Sequence, residues 1–472
     1  MVFLSTSQVE QQIGEKDGKV ILEPLNPPSR DNHTKSSISG KGDQLDKQQF
    51  SVPSYVNHTK SISSGSQSSV KPTPRILPSQ SKNDSFEDFH EFVNSVDCTL
   101  SEALSDYCNI KGMTRVHGPT STIFTSNLDG NKSWVIKPYP RKGSGAMKSI
   151  REWKIKPEED QDMPSCATIH TDPAIIFSIG GYSGNLFHDF SDIIIPLVTN
   201  TQAFNRKVHL LVTNNKSWWI YKFQTLLNHL SNYQVVNIDI ENQIHCYPNT
   251  IIGLKSYKEL AIDSSRSINN YSMNNFRDFL RSTYSLERRE VINLKSNNNQ
   301  RPRLMIISRK STRRITNEAK IVRMAQKLGY EVIIANETLI TNLSKFSQIV
   351  NSCDVFMGVH GAGLTNMVFL PDHAVVIQVV PLGGIEGIAR MDFEEPSKDM
   401  KLRYLKYSIR VKESSLSTQY AADDVVLRDP IVIHKQGWDV LRNTYLVQQN
   451  VKLDVRRFRS TLLKALKLLQ TF

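Results

Sequence analysis

Between residues 304 and 380 this chain alternates short apolar runs with amphipathic stretches, and that alternation constrains its fold more than any other feature. Residues 304–308 read as a strand. Residues 316–328 read as a helix, because Ile321, Ala325 and Leu328 recur at i, i+4 and i+7. Gly329 follows, where a helix commonly ends in a left-handed residue. A strand over 331–335, a helix over 342–351, a strand over 354–359 and a fourth strand over 375–380 complete the series. Strands alternating with helices over short links predict a parallel, doubly wound α/β sheet.

The third strand of that series carries the densest chemistry. Val355 to Val359 runs into His360-Gly361-Ala362-Gly363, and a helix start is expected at Leu364-Thr365-Asn366. A strand that ends in glycines and opens a helix aims free N–H groups and a positive dipole end at one point, which suits a phosphate. Glycine also lets the backbone approach a ligand where a Cβ would collide. This is not the dinucleotide fingerprint. Asn366 stands where a third glycine is required, and the unit is the third of its half and not the first.

An earlier region repeats the pattern less cleanly. Trp134-Val135-Ile136 and residues 175–179 read as short buried strands. Residues 208–212 form another before a helix over 218–230, and 235–238 resume a strand. Residues 262–290 read as polar helices and loops, and Asn297-Asn298-Asn299 before Arg301-Pro302 as a linker. Residues 1–90, rich in Ser, Lys, Gln, Asn and Pro, cannot bury enough apolar surface to offset their ordering entropy, so a disordered stem is expected there. The expected domains are therefore an α/β half over 91–300, a second over 301–440, and a helical segment over 441–472 that packs back across the halves.

Composition narrows the function classes. The net charge of +12 permits an acidic partner, but the basic residues are scattered and no nucleic-acid module is present, so nucleic acid is not an expected partner. Arg456-Arg457-Phe458-Arg459 reads as a solvated helix face. The five cysteines, Cys98, Cys108, Cys166, Cys246 and Cys353, show no metal spacing, so no metal is expected, and the odd number leaves at least one unpaired. Cys353 reads as a packed free thiol. No run approaches the ~20 apolar residues of a membrane-spanning helix. N-x-S/T sites at Asn32, Asn57, Asn83, Asn131, Asn215, Asn270, Asn336 and Asn342 are compatible with a secretory lumen.

The literal run Gly358-Val359-His360-Gly361-Ala362-Gly363-Leu364-Thr365-Asn366 with Phe369-Leu370-Pro371 resembles the hallmark of glycosyltransferase family 61. Further stretches resemble its plant members: Lys137-Pro138-Tyr139-Pro140-Arg141-Lys142, Ile150-Arg151-Glu152-Trp153, residues 184–192, Ser308-Arg309 with Arg313-Arg314, Glu413-Ser414-Ser415-Leu416 and Gln449-Asn450-Val451. The resemblance runs in order from about Cys98 to about Phe458. It implies a GT-B fold, two Rossmann-like halves facing a cleft, and an inverting transfer from a nucleotide sugar with no covalent intermediate, no cofactor and no required metal. For the plant branch it implies a UDP-pentose donor, xylan as acceptor, the Golgi lumen as location, an N-terminal type II anchor that is absent from this sequence, and other Golgi glycosyltransferases as partners. A relative that adds xylose to N-glycan cores is the alternative. The resemblance also implies pairing of Cys98 with Cys108.

Candidate site residues follow from the sheet geometry. Arg309, Arg313 and Arg314 lie just past the first strand of the second half, at the edge where parallel sheets bind ligands, beside His360, Gly361, Ala362, Gly363, Leu364, Thr365 and Asn366. A guanidinium matches phosphate bidentately, and Arg309 and Arg313 are favoured for that task. Solvated basic loops are the commoner fate of arginine clusters, but two phosphate-suited elements at one edge favour a site. Glu386, after Gly383-Gly384, can accept a ribose or sugar hydroxyl and can equally be a loop charge. In the first half, His188 and Asp192 fall at i, i+4 if helical, with Asp189 beside them. Imidazole suits proton transfer near neutrality, and a carboxylate can hold its tautomer. Either His188 or an aspartate is the expected base. A capping network at a helix start is the bland reading. A non-catalytic homologue that binds glycan or a partner transferase is the reading of another class. A nucleotide-dependent oxidoreductase is disfavoured by the missing third glycine.

Overall fold

The computed structural model describes residues 94–128, 132–158, 165–295, 300–336 and 342–471. The stem expected over 1–90 and the linker at Asn297-Asn298-Asn299 lie outside the described residues. Fifteen strands are described, in two sheets. The first sheet holds β1 (Ser95–Thr99), β2 (Tyr107–His117), β3 (Thr122–Thr125), β4 (Trp134–Ile136), β5 (Trp153–Pro157), β6 (Thr168–Ile169), β7 (Ala174–Ser178), β8 (His209–Thr213), β9 (Val236–Asn237) and β10 (His245–Ile252). Its order is β4-β5-β3-β2-β10-β7-β8-β9, with β1 beside β2 and β6 beside β10. β10, β7, β8 and β9 run parallel, and β2 joins them antiparallel along β10.

The second sheet holds β11 (Arg303–Ile307), β12 (Glu331–Ala335), β13 (Val355–Val359), β14 (Val375–Val380) and β15 (Arg403–Ser408). It is parallel throughout, in the order β12-β11-β13-β14-β15. The chain leaves β11 for β12 on one side and then returns past it to β13 on the other. That reversal is a topological switch point, and the crevice beyond the strand ends there is the ligand site of open α/β sheets.

The helix expected over 316–328 spans Glu318–Lys327, and that over 342–351 spans Leu343–Asn351, with the Asn342 side chain accepting from the Lys345 amide as its cap. The strand expected over 235–238 shortens to β9, followed by a 3₁₀ turn, Ile238–Ile240. The C-terminal segment departs from expectation. It is helical through Trp438–Leu441 and Arg442–Val447, becomes extended where Val451 bridges Ile315 and Ser414, and resumes as Val455–Leu468. That last helix packs on the second sheet's half, where the Tyr330 hydroxyl donates to the Leu462 carbonyl and Arg457 lies over the Tyr407 ring, and just past its end the Leu469 carbonyl accepts from the Leu294 amide.

One hydrophobic core runs through both halves. Phe190 of the first half meets Phe276 and Phe369 edge-on, with ring centroids 6.5 and 5.7 Å away. The fully buried Arg277, on the helix Met273–Tyr284, ties this seam through Asp372 at 2.8 Å. The pairing of Cys98 with Cys108 is present across β1 and β2. Cys166–Cys246, separated by 80 residues and without a spacing signature, is a second disulfide, and Cys353 is buried and free. No helix among the described residues is long and apolar enough to cross a membrane.

Candidate active site

A cleft of about 980 Å³ opens between the two sheets, beyond the C-terminal ends of β11 and β13. Three helical runs line it, and each carries a π-wound stretch there: Asp189–Ile194 after His188, Arg390–Glu394 with Asp392 and Phe393, and Arg442–Val447. Such wider turns are rare and occur often at functional sites.

The C-terminal wall is built on the glycine turn. Gly361 has φ +139, and a Cβ there would come within 2.7 Å of Arg313 Nη1, so only glycine admits the guanidinium this close. Arg313 Nη1 donates to the His360 carbonyl at 2.8 Å. The arginine loop is pinned from behind. The Arg313 amide donates to the Gln449 carbonyl, the Arg314 amide to Asn450 Oδ1, and the Thr316 amide to the Val451 carbonyl. The Gln449-Asn450-Val451 run thus fixes the backbone from which Arg313 projects, and Arg309 folds onto the same loop through Thr312. Arg314 itself is exposed and outside the cleft lining.

Arg309, Arg313 and Arg442 line the same stretch of cleft, and among the described residues none of them makes an ion pair. Burial, with Arg309 and Arg442 nearby, pushes the Arg313 guanidinium down to about 9. Burial also lowers Arg309. Arg313 Nε is buried without a partner. Arg442 is exposed, but Arg309 and Arg313 are partly buried with no counter-charge, and such a pair is a seat for an anion. His360 is held neutral beside it, because burial and the two arginines press its pKa down to about 3. Its tautomer is set by a relay. The Tyr404 hydroxyl donates to Gln378 Oε1 at 2.5 Å, and Gln378 Nε2 donates to His360 Nδ1 at 2.8 Å. The proton of His360 therefore sits on Nε2.

The helical winding begins at Ala362, earlier than expected, and Ala362–Phe369 is a 3₁₀ helix instead of an α-helix. Gly361 and Ala362 line the cleft, whereas Leu364, Thr365 and Asn366 are buried behind it, with Thr365 Oγ1 and Asn366 Oδ1 unpaired. Gly363 backs onto Ile307, whose Cγ2 an added Cβ would meet at 3.1 Å. Glu386 is exposed in the first turn of Glu386–Ala389 and does not line the cleft.

The N-terminal wall is the segment 184–192, folded as a capped helix start with Asn185 accepting from the Phe187 amide. Asp192 is buried and saturated. It accepts from the Tyr139 hydroxyl at 2.7 Å, from Arg141 Nε and Nη2, the latter at 2.8 Å, and from His188 Nδ1 at 3.0 Å. Burial alone would raise its carboxyl, but Arg141 and then His188 hold it down to about 2. Asp189 is also fully buried and takes the Gly184 amide, Trp219 Nε1 and Lys222 Nζ. It pins the helix start and does not line the cleft. His188 is the member of the group whose ring borders the cleft, with Nδ1 spent on Asp192 and Nε2 left over.

A family model described as Glycosyltransferase 61 matches residues 186–377, from the His188 helix to β14. The chain is 41% identical over 408 residues to the beta-1,2-xylosyltransferase XYXT1 of Oryza sativa subsp. japonica, covering 82% of this chain and 87% of that protein. The chain belongs to glycosyltransferase family 61. Among its family 61 relatives, the alpha-1,3-arabinosyltransferase XAT3 of Oryza sativa subsp. japonica is 44% identical over 373 residues, 78% of this chain. The chain spans 64% of that relative's length. The xylan glycosyltransferase MUCI21 of Arabidopsis thaliana is 36% identical over 391 residues, with 79% of each chain covered. The residues that sequence reasoning missed, Tyr139, Arg141, Asp392 and Arg442, fall outside the segment matched by the family 61 model. Tyr139 and Arg141 were visible only as part of the Pro-Tyr-Pro-Arg run, with no role attached. Nothing in the sequence marked the other two.

Proposed function

We propose that this protein is an inverting glycosyltransferase of GT-B architecture that transfers a pentose, xylose or arabinofuranose, from a UDP-sugar to xylan or arabinoxylan in the Golgi lumen. The observation that carries this reading is the uncompensated group Arg309, Arg313 and Arg442 beside the Gly361 turn, at the switch point of a parallel sheet. As the bond from the anomeric carbon to the diphosphate breaks, negative charge grows on the leaving oxygens. Guanidinium groups and backbone amides already fixed there stabilise it without reorganising. On this reading they perform the task a divalent cation performs elsewhere, and turnover proceeds without one. On the opposite wall, Asp192 holds the His188 proton on Nδ1. Nε2 then accepts the proton of the acceptor hydroxyl as its oxygen attacks the anomeric carbon from the face opposite UDP. One displacement with no covalent enzyme intermediate inverts the configuration.

The pentose and the xylan acceptor rest on the activities for which the plant relatives are named. Two disulfides and the exposed acceptor asparagines Asn215, Asn270, Asn336 and Asn342 support an oxidising, glycosylating compartment. The deciding experiment offers UDP-xylose, UDP-arabinofuranose and UDP-GlcNAc with xylan oligosaccharides, followed by linkage analysis, with and without EDTA. Pentose transfer that survives EDTA is expected. His188→Ala should lower kcat by about 10²–10⁴ while UDP binding persists. No transfer from any donor would sink the activity, and strict Mn²⁺ dependence would sink the arginine account.

A further inference from the structure

Asp392 is the cleft-lining group that the transfer chemistry above leaves without a task. It lies on the π-wound stretch Arg390–Glu394 of the donor-side half, 9% exposed, and its Oδ1 is buried with no hydrogen-bond partner. Its Oδ2 lies 3.9 Å from His360 Nε2, which is too far for a direct bond. The Tyr404–Gln378 relay fixes His360 as a donor at that nitrogen. A donor and an acceptor therefore flank a narrow gap. A hydroxyl oxygen about 2.8 Å from each fits there as the apex of a shallow triangle, accepting from His360 and donating to Asp392. His360 adjoins the turn that receives the diphosphate, so the gap lies where the donor's sugar, and not its nucleobase, would be.

We infer that Asp392 and His360 together hold one ring hydroxyl of the donor sugar, and that Asp392 is the residue by which this site distinguishes a UDP-sugar from UDP. The inference rests on the reading of the cleft as a nucleotide-sugar site and deepens it. Burial, with Glu259 nearby and against the pull of Arg141, raises the Asp392 carboxyl well above the ordinary carboxylate range. A carboxyl under that penalty gains a partner at Oδ2, the oxygen that faces His360, when a hydroxyl arrives. The hydroxyl task that the sequence suggested for Glu386 falls instead to this residue, further along the same helical run.

The experiment compares Asp392→Ala and Asp392→Asn with the unmodified full chain by calorimetric titration of UDP and of UDP-xylose, alongside thermal unfolding. Folding should survive, because the change removes an unsatisfied group. UDP affinity should stay within about twofold, while UDP-xylose affinity falls by roughly tenfold or more in the alanine variant and less in the asparagine variant. Among UDP-xylose analogues each lacking one ring hydroxyl, one should bind the unmodified chain and Asp392→Ala equally. Equal losses for UDP and UDP-xylose would make Asp392 a structural residue and overturn the inference. So would unchanged affinity for both. If the unmodified chain binds neither ligand, the nucleotide-sugar reading itself fails, and the inference with it.

Discussion

The two walls of the cleft both carry charge, but they differ in how completely that charge is paired. On the N-terminal wall, Asp192 takes Tyr139, Arg141 and His188, and Arg141 also reaches Glu259. On the C-terminal wall the charged atoms Arg313 Nε and Asp392 Oδ1 are buried without partners, whereas the unpartnered atom on the N-terminal wall, Ser144 Oγ, is neutral. A closed network is held by the fold and supports it. An open one weakens the fold, and its retention points to something that binds there. The difference separates the wall that positions a proton acceptor from the wall that awaits an anion and a sugar.

The largest effects expected are opposite in kind on the two walls. Arg141→Ala strands the Asp192 carboxylate in the interior and should cost about 3–5 kcal/mol of stability, read as a lowered urea midpoint. Arg313→Ala should leave the unfolding midpoint unchanged or raise it, because it relieves repulsion with Arg309 and Arg442, yet reduce turnover by about 10²–10³. Similar losses of stability in both variants would erase the contrast between the walls.

Acid separates the walls by window. His360 titrates near about 3 in the folded chain against about 6.5 when unfolded, so its contribution is whole above pH 6.5 and declines as pH falls toward 3. Asp192, near about 2 against an unfolded value of 3.8, gives its contribution fully above 3.8 and loses it only as pH falls toward 2. Between pH 6.5 and pH 4.5 the C-terminal wall titrates and Asp192 does not, while His209, lowered to about 4 by burial, and His170 add to the same slope from the first sheet, so the wall's share is read by difference. His360→Asn should flatten the slope of stability with pH in that interval. Saturating UDP should flatten it as well, since a bound diphosphate offsets the arginine charge that depresses His360. A slope untouched by either change would mean that His360 is not the group being titrated.

How much of this was legible in the sequence follows from what each feature depends on. β11 to β14 and their helices were readable because apolar periodicity and short links specify a parallel sheet locally. β2 and β10 were not, because they pair antiparallel across more than a hundred intervening residues and carry partly exposed positions such as Asn109 and Asn249. Arg309, Arg313, His360 and His188 line the cleft, and strand ends and i, i+4 spacing announce them. Asp392 and Arg442 were missed because both sit on π-wound turns, where the extra residue rotates side chains out of helical register. Glu386 stands out in the sequence for its place after Gly383-Gly384. Those glycines instead fold against Tyr445 and His434, and the glutamate turns outward.

Glu386 also sets the smallest effect and the sharpest control. It is an exposed acid at the start of Glu386–Ala389, in the helical run that carries Asp392 toward the cleft. Removing an exposed charge away from buried networks changes stability by about 0.5 kcal/mol or less. Glu386→Ala should therefore keep its unfolding midpoint and hold the KM for the UDP-sugar within about twofold, while Asp392→Ala on the same run does not. A tenfold rise in KM for Glu386→Ala would show that this helix turns over the donor when it binds. The open C-terminal wall would then be completed by motion of its own residues as well as by ligand, and its contrast with the prebuilt N-terminal wall would be one of mobility as much as of charge.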